Sequence, residues 1–222
     1  MKKILVVFLS IISLMCFFTG CNKQPTLDEY VSELKSDVFT GENGAFSLKA
    51  SYGFKEHPFN HDGISAQKVY RLTVKMLNQV TDGATYTTCL IFNSQEYKSE
   101  FKIDPVSHAF SAIIEVDDFN LKEFDLIVTV AGDIQTVKMQ SILPNDTLTC
   151  SEALSKLKES QNELLNNYTD ENGVFTGEIH ARVLVKDEKP YWYVGLVSAD
   201  KSLKALLVDG ISGEVLAIRD VL

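Results

Sequence analysis

The sequence predicts a mainly β protein: an antiparallel β-sandwich over residues 45–143, then a smaller helix-plus-sheet module over 149–222. Three observations predict it. From Ala45 onward apolar residues recur at every second position, the period of a strand with one buried face. Turn-forming pairs, including Asp62-Gly63, Asp82-Gly83, Asp104-Pro105 and Gly132-Asp133, separate these runs at short intervals. A stretch of helical period after Thr149 then precedes four more short runs of strand type.

The chain opens with Lys2 and Lys3, an almost wholly apolar stretch from Ile4 to Phe18, and Phe18-Thr19-Gly20-Cys21. A basic start, a short apolar core and small residues before a cut site form a secretory signal. The apolar stretch is 15 residues long, and a permanent membrane-spanning helix needs roughly 20. Its end resembles the bacterial lipobox, in which a large apolar residue and two small ones precede a cysteine. Thr19, Gly20 and Cys21 fit, with Phe18 standing where that family usually has Leu. The resemblance implies cleavage before Cys21 and a diacylglyceryl thioether on Cys21, with palmitate-type acyl chains. Two or more such chains anchor stably. It places the body outside a bacterial plasma membrane, at the cell surface or on the periplasmic side. Residues 1–20 are then the signal, and 21–44 the anchor, a polar spacer and a short helix.

Loss of Lys2 and Lys3 leaves 19 basic residues against 30 acids, so the formal charge moves from −9 to −11. An acidic body repels polyphosphate, and no basic stripe with interleaved aromatics is visible in the sequence, which argues against nucleic acid as a partner. The remaining 202 residues suit one or two domains. Of four cysteines, Cys16 leaves with the signal and Cys21 carries the anchor. Cys89, in a strand-like run, and Cys150, at a helix start, either pair outside the membrane or stand as two separate, partly buried thiols. No C-x-x-C pair points to redox chemistry.

Thr26 and Glu29 form the T-x-x-E pattern of a capping box. Leu27, Tyr30, Val31 and Leu34 follow at i, i+3, i+4 and i+7, which predicts a short helix ended by Gly41 to Gly44. Alternation then predicts strands at Phe46–Phe54, Tyr70–Met76, Tyr86–Phe92, Tyr97–Ile103, Phe110–Val116, Phe124–Val130 and Ile134–Ile142. Seven short, evenly spaced strands suggest a sandwich of immunoglobulin-like type, without the Cys…Trp…Cys signature of antibody domains. An open sheet or partial barrel carries the same pattern.

Leu143-Pro144-Asn145-Asp146 reads as a linker. A second capping box, Thr149 with Glu152, opens a longer helix whose inward positions are Leu154, Leu157, Leu164 and Tyr168. Asn172-Gly173 ends it, and strands follow at Glu178–Lys186, Tyr191–Ser198, Leu203–Val208 and Val215–Ile218. Lys189-Pro190 marks the first hairpin, and Gly210 with Ser212-Gly213 the last. Val208-Asp209-Gly210-Ile211-Ser212-Gly213-Glu214-Val215-Leu216 and Pro190-Tyr191-Trp192-Tyr193-Val194 resemble the closing turn and preceding strand of a PepSY domain. That resemblance implies one helix on an antiparallel sheet. Members occur in propeptides of secreted metalloproteases and in cell-envelope proteins, which implies an envelope protein partner, with protease modulation or assistance to folding as the roles. It brings no catalytic residue.

The remaining candidates favour plain structure over chemistry. His57 and His61 have H-x3-H spacing, but Pro58 and Gly63 make a loop of it rather than a zinc-binding helix face. His108 and His180 lie in strand-like runs with no Cys or Glu at ligand spacing. Gly210-Ile211-Ser212-Gly213 has its second glycine one place too early for a nucleophile elbow. Asp170, Asn172 and Gly173 fall short of a calcium loop, whose glycine is sixth. Glu115, Asp117 and Asp118 read as a solvated strand end rather than a hydrolytic acid pair. Glu42-Asn43-Gly44-Ala45-Phe46 and Glu171-Asn172-Gly173-Val174-Phe175 share turn chemistry without duplicated flanks. Tyr191 and Tyr193 fall on one strand face, opposite Trp192, and are the candidate binding residues. The expectation is a non-catalytic, cofactor-free surface lipoprotein that binds protein. The alternative is a ligand-binding lipoprotein for a sugar, peptide or ion associated with transport.

Overall fold

Alternation does what it predicts through the middle of the chain. In a computed structural model describing residues 26–57, 66–78, 83–105, 108–172, 174–198 and 200–221, the strand expected at Phe46–Phe54 forms as Ser47–His57. Leu48, Ala50, Tyr52 and Phe54 are buried there, while Lys49 is exposed. In chain order the strands are β1 (Val31–Glu42), β2 (Ser47–His57), β3 (Gln67–Met76), β4 (Tyr86–Phe92), β5 (Gln95–Glu100) and β6 (Lys102–Ile103). After them come β7 (Phe110–Glu115), β8 (Glu123–Val130) and β9 (Asp133–Ser141), then helices α1 (Cys150–Ser160) and α2 (Asn162–Asn166). The chain ends in β10 (Glu178–Lys186), β11 (Lys189–Val197), β12 (Leu203–Asp209) and β13 (Val215–Val221). The protein is mainly antiparallel β, and the 13 strands among the described residues belong to one sheet.

The first nine strands roll around one core. β9, β8 and β4 pair in series on one side, and β1, β2, β3 and β7 on the other, with β1 joined to β9. The expected strand Tyr97–Ile103 bends at buried Phe101, so that β5 pairs with β4 and β6 pairs with β7. This bend nearly closes the roll. Phe39, Leu72, Leu90, Leu126 and Met139 fill its interior, with Phe119 edge-on to Phe39 and Phe124. Thr88 lies in this core at 1% exposure, and its hydroxyl has no hydrogen-bond partner. A buried hydroxyl left without a partner costs about 1–3 kcal/mol, so Thr88→Val is expected to stabilise by about 1 kcal/mol. A urea midpoint that falls instead would show the hydroxyl to be bonded.

β1 stands where the sequence predicted a helix. The capping residues do meet, Thr26 N–H donating to Glu29 Oε1 at 3.3 Å, but only one 3-10 turn forms, Leu27–Tyr30. From Val31 the chain is extended, because tertiary pairing on both edges outweighs local helical preference. One edge of β1 pairs with β2 from Glu33 to Glu42. Its other edge pairs with β10 from Val31 to Lys35 and with β9 at Phe39 and Thr40. The β1–β10 ladder is parallel, whereas every other ladder among the described residues is antiparallel. Val31 thereby joins the core beneath α1 and Phe39 the core of the roll.

The second core lies between α1 and the sheet β1–β10–β11–β12. Thr149 caps α1, its hydroxyl accepting from Glu152 N–H at 3.3 Å and its own N–H donating to Glu152 Oε2 at 2.8 Å. Leu154 and Leu157 are fully buried, Tyr168 is buried, and Leu164 packs at the margin. They meet Ile179, Val194, Leu206 and Trp192, whose indole N–H donates to the Leu148 carbonyl at 2.9 Å and fastens the linker to the sheet. The first C-terminal hairpin turns at Asp187-Glu188, both at positive φ, and not at Lys189-Pro190, which already belong to β11. A two-residue turn of this hand matches the strand twist, and Pro190 pairs opposite Val185. No helix among the described residues is long and apolar enough to cross a membrane.

Candidate functional site

Strand period divides β11 in two. Trp192, Val194 and Leu196 face α1, and Tyr191 and Tyr193 lie on the opposite face, both half-buried. Arg182 of β10 lies over the Tyr193 ring, its guanidinium carbon 4.3 Å from the ring centroid, a cation–π contact. The row continues from Arg182 and Tyr193 through Leu207 to Ala217. Leu184, 41% exposed, stands opposite Tyr191. The two tyrosines thus form part of a partly apolar outer face.

That face ends at β13, the last strand of the sheet. β13 pairs with β12, and among the described residues no strand pairs with its outer edge. Leu216, Ile218 and Val221 are 45–47% exposed along it. An exposed apolar edge offers unpaired backbone N–H and C=O groups to an incoming strand. Sequence reasoning placed a strand here without its edge position, since neighbours in a sheet are not written in a strand's own pattern.

A second feature lies at the junction of β1, β2, β3 and β10. Glu33 makes ion pairs with Lys35 at 3.4 Å and Lys55 at 3.7 Å. Burial alone would raise its carboxyl, but the charges of Lys35, Lys55 and His180 outweigh that and hold it below its ordinary value. Beside this pair runs a groove of about 260 Å³ lined by Lys35, Lys49, Lys75 and Arg182 and by no carboxylate. The sequence showed no basic stripe because these four residues come from four strands.

The other sequence candidates are accounted for by local structure. His57 is exposed at the end of β2, while His61, Cys21 and Gly173 lie outside the described residues. His108 is exposed in a turn, at positive φ, and His180 stands opposite Glu33. Among the described residues no group of three His, Cys, Asp or Glu side chains is placed to hold a metal ion. Asp170 Oδ1 accepts from the N–H groups of Asn172 and Val174, both at 2.9 Å, so its carboxylate closes a turn. Glu115 ends β7 opposite Arg71, and Asp117 and Asp118 are exposed in the turn after it. Cys89 and Cys150 are free thiols. Burial pushes the Cys89 thiol up and Cys150 to about 12, which leaves both protonated near neutral pH.

The residues carrying the PepSY resemblance build the β12–β13 turn. Asp209 accepts from the N–H groups of Ser212 at 2.8 Å and Ile211 at 2.9 Å. Gly213 takes φ +79, and the Ser212 hydroxyl accepts from Glu214 N–H at 3.2 Å, so Ser212 is a turn residue. Those backbone donors hold the Asp209 carboxyl below its ordinary value. A carboxyl lowered by folding adds stability above its unfolded pKa of about 3.9, and that stability is lost as pH falls through the folded value. Urea midpoints of the wild type and Asp209→Asn should therefore converge as pH drops below about 4. A gap unchanged from pH 7 to pH 2 would contradict the assignment. No protein-family model, no curated protein and no solved structure matches the chain.

Proposed function

We propose that this is a non-catalytic lipoprotein of the bacterial envelope, tethered through Cys21, that binds another protein by adding a strand of its partner to the edge of β13. The observation that carries this is the free edge of β13 with Leu216, Ile218 and Val221 exposed along it. Main-chain bonds along such an edge supply affinity, and alternate side chains supply specificity. Tyr191, Tyr193 and Leu207, on the outer face inward of Ala217, extend the surface that the partner's side chains would meet. The order of elements after Cys150, helices then an antiparallel sheet ending in the Asp209 turn, supports the PepSY-like reading and its link to protease modulation or folding assistance. The antiparallel roll of β1 to β9 supports an immunoglobulin-like or partial-barrel body that carries this module. Thr26 lies only five residues beyond Cys21. At about 3.3–3.6 Å per residue they reach at most about 18 Å, which keeps the start of the folded body near the lipid.

The test is a photo-crosslinking residue at Ala217 in the full chain, made in the cells that produce it, with Ile103 as the control position. A discrete heavier adduct from Ala217 and none from Ile103 is expected. No adduct, or an adduct only with a second copy of the chain, overturns the reading. A second reading, a ligand-binding lipoprotein for a sugar, peptide or ion associated with transport, is favoured by one observation, the cationic groove at the β1–β10 junction.

A further inference from the structure

Lys49 and Lys75 are directly opposite one another on β2 and β3. Facing side chains in an antiparallel pair sit about 4.5–5.5 Å apart at Cβ, and like charges there destabilise the sheet. Neither lysine is in an ion pair among the described residues, nor is Arg182 (Lys35, in the same wall, is matched by Glu33). One step along, Ser51 and Thr73 face each other and line the same groove, adding two hydroxyl donors. Val38 and Val183 add apolar surface to its lining, while Lys49 and Lys75 are themselves exposed. The groove therefore holds two lysines with no ion-pair partner among the described residues, in a chain whose net charge is −9, while the Arg182 guanidinium at its margin is turned over Tyr193.

We infer that this groove is a binding site for a small phosphoryl anion, a phosphate monoester or diphosphate carrying two or three negative charges. The charge matches Lys49 and Lys75, and phosphoryl oxygens accept from several directions at once, as the two ammonium groups and the Ser51 and Thr73 hydroxyls on β2 and β3 require. A carboxylate, planar and singly charged, leaves one of the two lysines unmatched. The volume of about 260 Å³ lies below the usual range for drug-sized ligand clefts, about 300–1,000 Å³, which suits a compact ligand. The inference deepens the ligand-binding reading and does not depend on the β13 edge.

The probe is inorganic pyrophosphate, titrated calorimetrically into the full chain in non-ionic detergent at low ionic strength, with sodium chloride of equal ionic strength as control. Saturable binding is expected, weakened about tenfold or more in Lys49→Gln/Lys75→Gln, since both charge-assisted contacts are lost. Lys75→Glu should abolish binding while raising the urea midpoint of the ligand-free protein, because it turns a cross-strand repulsion into an attraction. A lysine kept only for structure would not shift binding and stability in opposite directions. Ile218→Lys, at the free edge, should leave binding unchanged, so failure here and failure of the edge-strand reading are separable. The inference is overturned by the absence of saturable binding, or by binding that survives in Lys49→Gln/Lys75→Gln. Binding through these lysines to phosphatidylglycerol vesicles but not to pyrophosphate overturns the assignment to a soluble ligand.

Discussion

Gly53→Ala is expected to cost about 3 kcal/mol or more, the upper range for forcing extra volume into a packed site. Gly53 sits on β2 where β1 carries an irregularity between Lys35 and Asp37. A Cβ there would lie 1.9 Å from the Leu34 carbonyl oxygen and 2.8 Å from Lys35 Cα. Both are backbone atoms, so relief requires β1 to move away from β2 at the point where it also pairs with β10. Ser51→Ala, on the same strand face and half-exposed, should stay within about 0.5 kcal/mol. Urea unfolding of both variants checks this. Equal midpoints would mean that the strands are less closely apposed at Gly53.

Trp192→Ala is expected to cost about 3–5 kcal/mol, as large-to-small changes at buried aromatics do. Trp192 is 2% exposed, stands between Val183 and Val208 in the sheet, and holds the Leu148 carbonyl through its indole N–H. Trp192→Phe keeps most of the apolar area and leaves that carbonyl without its donor, so a smaller loss of about 1–3 kcal/mol is expected. Calorimetric melting of the two variants gives the ranking. A Phe variant as unstable as the Ala variant would place the contribution in the hydrogen bond rather than the packing.

Much of the fold is written locally. β4 at Tyr86–Phe92 and β10 at Glu178–Lys186 have the bounds that alternation and neighbouring turns predict. α1 begins where Thr149 and Glu152 satisfy one another. The same pattern at Thr26 and Glu29 yields a single turn, although apolar residues at helical spacing follow it too. What differs is the partner: Ser32 donates to Glu178 at 3.0 Å across 146 residues of chain, within a parallel ladder. Parallel partners are joined by long crossovers, so their pairing leaves no local trace. The β10–β11 turn was obscured for another reason. Asp187 and Glu188 take positive φ without glycine, beside a Lys189-Pro190 pair that resembles a turn more strongly. Tyr191 and Tyr193 were placed on one face by period alone. Lys49, Lys75 and Arg182 escaped notice because strand register, which no single segment encodes, is what brings them together.

β1 is the strand that joins the roll to the α1-covered sheet, so the architecture stands or falls with it. Backbone NMR of the full chain in detergent, with cross-strand NOEs sought between Val31–Lys35 and Ile179–Arg182, tests it most directly. Strand-type Cα and Cβ shifts from Val31 to Glu42, with NOEs placing Leu34 beside Ala181, are the expected result. Helical shifts over Leu27 to Leu34 with no contact to β10 would contradict it.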